Sequence, residues 1–308
     1  YAGIASATNL LYYDGGNSNQ TIAAFQTAVT PRETLSVTED PDFLSLNGSD
    51  ADFLHVNPTT ITQIDNGAEN ISAIVSDDYD GTTRNSVTPD IGADEFTGVD
   101  VTAYYFRSKQ TGLWAGPAQW EYSPSGNAGT YVQALQVPTG AASLIDILDD
   151  TITISGTTGA KNLRINSGGG LTHNNGISFS ISDGTGADAS GIDFIVAGTY
   201  SINGTQPTFA TNAVAEIRTN GIVKADGNTG GQSDDFARNT SVTFKTNSIF
   251  QWNNSLAFET NGFTYFPNSS STDIPLFRIS ASPLAVAGGS SSTTINGKFE
   301  VNSSLTFT

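Results

Sequence analysis

The stretch SDDYDGTTRN, residues 76–85, places three carboxylates and a glycine within positions 77–81. A short loop that offers several oxygens is what calcium requires, so Asp77, Asp78 and Asp80 are candidate calcium ligands. The EF-hand pattern does not fit. With Gly81 as the sixth loop position, Ser76 stands first and Val87 last, where Asp and Glu belong. A structural reading stands beside this one: Arg84 pairs with one of the aspartates while Gly81 makes the turn.

Other residues that could do chemistry are few. His55 lies among apolar neighbours in DADFLHVNP and His173 in a Gly/Asn-rich stretch, places that suit packing and surface roles. Cysteine is absent, so disulfides and thiolate metal sites are excluded. No Ser-His-Asp arrangement, zinc motif, P-loop or dinucleotide fingerprint occurs. Paired carboxylates serve polysaccharide-cleaving enzymes, and lyases built on coiled β-folds add an Arg or Lys base. Here Lys and Arg total 12, and none recurs at regular spacing beside an Asp cluster. The expectation is no catalytic residue and no cofactor other than calcium. Among the aromatics, Trp114, Trp120 and Tyr122 are candidate glycan contacts by ring stacking. The alternative is that the tryptophans plug the open start of a coiled domain.

The elements that must position these residues are short. The 308 residues include 32 glycines, 37% hydrophobic and only 14% charged residues. Aliphatic β-formers broken by Gly and Asn describe an all-β protein of short strands and many turns. TIAAFQTAV, residues 21–29, is the best helix candidate, and the alternation in DADFLHVNP predicts a strand with one face buried. The net charge of −18 repels phosphate backbones and anionic membranes, which argues against nucleic-acid partners. No apolar run approaches the ~18 residues that span a bilayer, so no membrane insertion is expected. Both ends read as cut from something longer.

After LIDILDDTITISG a loose repeat follows: LRINSGGGLTHNNG, FIVAGTYSING, EIRTNGIVKADG, TFKTNSIFQWNN, FRISASPLAVAGG and FEVNSSLTFT. Each pairs a β-branched strand, a polar turn and a second strand. Taking Ile165, Ile195, Ile217, Phe244, Ile279 and Val301 as equivalent gives an irregular period typical of solenoids with loops of varying length. A sandwich or barrel is the competing all-β reading.

NLLYYDGGN, TIAAFQTAV, DPDFLS, DFLHVNP, DYDGTTRN and PDIGADEF occur in that order over residues 9–97. This order resembles the terminal coils of secreted right-handed parallel β-helix proteins of Bacteroidetes, pectin-lyase-like surface and adhesin proteins. TTITQIDNGA replaces a Ser-Pro-Ala-Ile-Asp-Ala-Gly-like stretch of that family, and Asn85 stands where proline is common. The part from YYFRSKQTGLWAGPAQWEY resembles a further β-solenoid module of such proteins. The resemblance implies right-handed β-helix terminal coils and cap over 1–98, an aromatic-rich connector or start cap over 99–150 and a second β-solenoid over 151–308. It also implies type IX secretion, an extracellular cell-surface location and an O-glycan on Thr151 within Asp-Thr-Ile. Ile91 and Phe96 are expected to cover the last coil while Asp90, Asp94 and Glu95 stay wet.

The functional expectation is a non-catalytic structural or adhesive surface protein, a stiff solenoid stalk that self-associates into fibres or engages surface polysaccharide. The alternatives are the terminal part of a polysaccharide-active β-helix enzyme, or a carbohydrate-binding module.

Overall fold

The computed structural model describes residues 10–16, 18–33, 36–226, 235–253, 258–259, 263–280, 284–287, 292–302 and 305–307. Parts of the quoted stretches NLLYYDGGN, EIRTNGIVKADG, TFKTNSIFQWNN, FRISASPLAVAGG and FEVNSSLTFT therefore lie outside the described residues. The chain divides into two units, Tyr1–Asp100 and Val101–Thr308.

In the second unit the β-branched runs become short strands that come back to the same sheet once per coil. The first sheet, eight-stranded, runs in parallel through Tyr105–Ser108, Leu144–Ile147, Leu163–Ile165, Phe194–Val196, Ala215–Ile217 and Val242–Phe244. The second, also eight-stranded, is parallel from Gly112–Leu113 through Thr151–Ile154, Gly170–His173, Thr199–Ile202, Ile222–Ala225, Ile249–Trp252 and Leu276–Ile279 to Lys298–Val301. A third sheet aligns Thr158–Ala160, Phe179–Ile181 and Thr208–Phe209. The protein is all-β and solenoid-like. Sandwiches and up-and-down barrels, whose neighbouring strands run antiparallel, do not have this pairing.

Alternation explains the burial. Ile152, Leu171, Tyr200, Val223, Phe250 and Phe277 occupy one register column of the second sheet and all point inward. Coil-to-coil spacing of about 4.8 Å brings such side chains into contact, and each burial contributes ~1.5–3 kcal/mol. Ring contacts run on from Trp114–Phe179 through Phe179–Phe194, Phe194–Tyr200, Tyr200–Phe236, Phe236–Phe244 and Phe244–Phe250 to Phe250–Phe277, with centroids 5.3–6.4 Å apart. The four-residue helix Asp235–Arg238 inserts Phe236 into this series.

The corner between the first two sheets accounts for the Gly/Asn punctuation. Gly168, Asn220 and Asn247 follow the inward residues Ile165, Ile217 and Phe244 by the same interval, and all have positive φ (95°, 67° and 62°). Asn and Gly adopt that conformation at least cost.

Two sequence expectations need correction here. The repeat residues do not form one column: Ile165 pairs with Val196 rather than Ile195, and Ile279 and Val301 belong to the second sheet, in line with Trp252. The two ladders have similar strand–turn–strand texture, so spacing alone merged them. The parallel ladder also begins before residue 151, because Tyr105–Ser108 and Leu144–Ile147 are already members of the first parallel sheet. The antiparallel strands Trp120–Ser123 and Val132–Gln133 finish that sheet beyond Tyr105–Ser108.

The first unit is built differently. Its helix, Ile22–Val29, matches the expected span, with the Thr21 side chain accepting the Ala24 amide at 3.2 Å. Tyr12–Tyr13 pairs antiparallel with Ser18–Asn19. The strand expected through DADFLHVNP reduces to the isolated bridges Phe43↔Val56 and Ser45↔Phe53. Leu54 adopts φ +61°, which breaks the two-residue alternation and leaves Phe53 and Leu54 exposed. Among the described residues of this unit there is no parallel ladder of the kind expected for β-helix coils over 1–98.

Candidate functional site

The Asp-rich loop is organised by one of its carboxylates. Asp78 Oδ1 accepts the amides of Asp80 (2.9 Å) and Thr82 (2.7 Å), and Oδ2 accepts that of Glu95 (3.0 Å). Burial pushes the Asp78 carboxyl upward, but the Glu95, Thr82 and Asp80 amides and the nearby Arg84 charge outweigh it, and it ends below its ordinary value. Gly81, at φ +84°, completes the turn. Asp77 instead accepts the Ser76 hydroxyl at 3.0 Å and bridges Thr83 through its backbone. Asp77, Asp78 and Asp80 therefore do not converge as a calcium set: Asp78 is committed to backbone amides, and Asp80 faces elsewhere.

Asp80 faces His55. Its Oδ2 lies 3.3 Å from His55 Nε2, while Asp94 Oδ1 lies 3.6 Å from Nδ1 on the other side of the ring. Asp94 is held from behind, because its Oδ2 accepts the Val56 amide at 3.0 Å. One ligand atom from each of His55, Asp80 and Asp94 lies within 4.8 Å of the others. The three residues sit on the wall of a cavity of about 590 Å³ lined mostly by apolar groups such as Phe43, Phe53, Ile64 and Ile91, with Asp50 also on its wall. An imidazole set between two carboxylates can hydrogen-bond to them, or with them can hold a cation.

Arg84 and PDIGADEF form the frame behind this group. Arg84 does not pair with the loop aspartates. It donates to the carbonyls of Asp90 (3.2 Å) and Gly92 (2.5 Å) and forms an ion pair with Glu95 at 3.5 Å. Asp90 is buried, not wet: it accepts the amides of Asn66 (2.6 Å) and Phe96 (2.7 Å). Burial raises its pKa, against the Phe96 and Asn66 amides and with help from Glu95 and Asp65. The stretch read as a solvated edge is an internal brace.

The expected glycan contacts are also corrected. Trp114, Trp120 and Tyr122 are 3%, 0% and 2% exposed, so no ring face is open to a sugar. Trp120 Nε1 donates to the Trp114 carbonyl at 2.9 Å and Trp114 Nε1 to that of Pro138 at 3.1 Å, with the indoles edge-to-face at 5.2 Å. They fill the interior beside the first coil. Thr151 is exposed at the start of its strand. His173 is fully buried; Nε2 faces the Ile177 carbonyl at 2.8 Å and Nδ1 the Tyr200 hydroxyl at 3.2 Å. Desolvation holds its pKa below the ordinary value, partly opposed by the Ile177 carbonyl.

The sequence reading found Asp80 but missed His55 and Asp94. They come from three separate stretches, and no fixed spacing signals their meeting. Comparison with protein-family profiles, curated proteins and solved structures gives no match. Among the described residues no helix is long and apolar enough to cross a membrane.

Proposed function

We propose that this chain is a non-catalytic structural and adhesive protein of the cell surface, with its second unit serving as a stiff stalk. The observation that carries the reading is the unbroken register of the second parallel sheet over its coils, with an aromatic interior behind it. Each coil is bonded to the next along the whole sheet, so pulling on it loads many backbone hydrogen bonds together. In this reading the coils wind as a right-handed parallel β-helix, the hand taken by nearly all parallel crossovers.

Charged residues on the flanks are used between coils. Arg164 bonds Asp146, Arg218 bonds Asp188, and Arg278 bonds Glu300. The resemblance of residues 9–97 to Bacteroidetes surface proteins supports type IX export, and the exposed Thr151 hydroxyl suits an O-glycan. Fibre formation in this reading would proceed by strand addition between copies.

The test combines surface labelling of intact producing cells, electron microscopy of the purified chain, and incubation with a polysaccharide panel while monitoring new reducing ends and unsaturated sugars. Surface signal and fibres without turnover are expected. Turnover of any polysaccharide would replace this reading with the enzyme.

A further inference from the structure

We propose that His55, Asp80 and Asp94 form a divalent transition-metal site of the zinc type on the wall of the largely apolar cavity in the first unit. Three observations carry it: a mixed nitrogen–oxygen donor set, its closeness, and its support from residues that are not themselves ligands.

The donor set selects the metal class. Calcium takes six to eight oxygens and rarely an imidazole, whereas zinc is bound by His nitrogen and Asp oxygen in small coordination shells. Bonds of about 2.0–2.2 Å in a tetrahedron place ligand atoms about 3.3–3.5 Å apart. The carboxylates lie nearest different ring nitrogens, Asp80 3.3 Å from Nε2 and Asp94 3.6 Å from Nδ1, so only one of these is a spacing within a single metal's shell. The full set spans no more than 4.8 Å. Asp80, with a side chain 42% exposed, is free to swing through the difference, while Asp94, 18% exposed, is pinned by the Val56 amide.

The ring arrangement also fits. A metal occupies one imidazole nitrogen, and the other N–H then needs an acceptor; carboxylates commonly supply it and fix the ring. Here a metal on Nδ1 would have Asp94 beside it, and the more exposed Asp80 would swing across from Nε2 to join it, leaving the Nε2 proton to water. Asp78 positions Asp80 by accepting its amide, and Arg84 holds the Asp90–Gly92 carbonyls just before Asp94. Three protein ligands leave a fourth position for water or for an outside donor entering along the cavity wall. The net charge of −18 raises the local concentration of cations.

The experiment is zinc chloride titration of the full chain at neutral pH by calorimetry, repeated with cobalt(II) for its visible absorption. One zinc per chain is expected, with cobalt bands of a low-coordinate N/O site and no displacement by equimolar calcium. Asp80→Asn and His55→Gln should each weaken zinc binding at least about tenfold, the scale on which even outer-sphere partners of metal ligands act. Their circular dichroism in EDTA should match the parent. If a variant fails to fold, protection of the parent protein decides: with His173 buried, diethyl pyrocarbonate should modify His55, and zinc should block it. Absence of saturable binding, binding that both folded variants retain, preference for calcium, or modification of His55 at the same rate with zinc would each overturn the proposal. Those outcomes would leave the three groups as a polar clamp between loops.

Discussion

Arg164 lies directly across from Asp146 in the parallel register and grips it with two hydrogen bonds, Nε to Oδ1 at 2.9 Å and Nη2 to Oδ2 at 2.5 Å. Asp146 is largely buried, and Asn166 donates to the same carboxylate. The fork geometry suits Arg alone. Arg164→Ala should therefore destabilise the second unit by ~1–3 kcal/mol, more than an exposed pair would. Arg164→Lys should recover only part of that. Thermal or urea unfolding of the three proteins measures it, and equal stability of parent and Ala variant would refute the claim.

Trp114 offers a sharper contrast between structure and binding. Its indole is buried against Trp120 and Phe179. Trp114→Ala should cost ~3–5 kcal/mol, the range for deleting a large core aromatic. Near-ultraviolet circular dichroism and unfolding would show the loss. A glycan array that lost signal with unchanged stability would instead restore the sugar-contact reading.

The corner glycines should divide into critical and tolerant positions. A Cβ on Gly221 would sit 2.2 Å from the Val196 carbonyl oxygen, a backbone atom of the coil before. Gly221→Ala should cost about 2 kcal/mol through forced backbone movement. At Gly156 nothing lies within 4 Å, so Gly156→Ala should be neutral or slightly stabilising. Paired melting curves check both, and equal melting points would count against the packing of the coils described here.

Acid should weaken the second unit through His173. Its folded pKa lies below the ordinary value near 6.5, so below about pH 6.5 the unfolded chain binds the proton more readily. The neutral imidazole's contribution is present above that pH and declines as pH falls toward the folded pKa. The groups packed on the ring, Tyr200, Phe179 and the Ile177 carbonyl, carry no charge to stabilise imidazolium. His173→Gln should flatten the fall in melting temperature between about pH 6.5 and 5, whatever its effect at pH 8. An unchanged slope would rule out this linkage.

What could be read from the residues in order was local. Two-residue alternation encodes which side chain of a strand turns inward, and the irregular repeat encodes coils that return to the same sheets. Thr21 before Ile22–Val29 marks a helix start without reference to anything distant. Ladder membership was beyond such reading. Ile279 and Ile217 look equivalent in texture, yet they face the core from different sheets, because parallel pairing is decided by loop paths and not by the strands themselves.

By itself, then, the sequence determined an all-β, solenoid-like chain with strongly acidic character and no sulfur chemistry. Tertiary structure alone decided that Trp114 and Trp120 are interior, that Asp90 is a buried brace, and that His55 meets Asp80 and Asp94. The reason is range: alternation and capping act over a few residues, whereas contact between groups tens of residues apart depends on how whole loops are held by buried amide–carboxylate bonds.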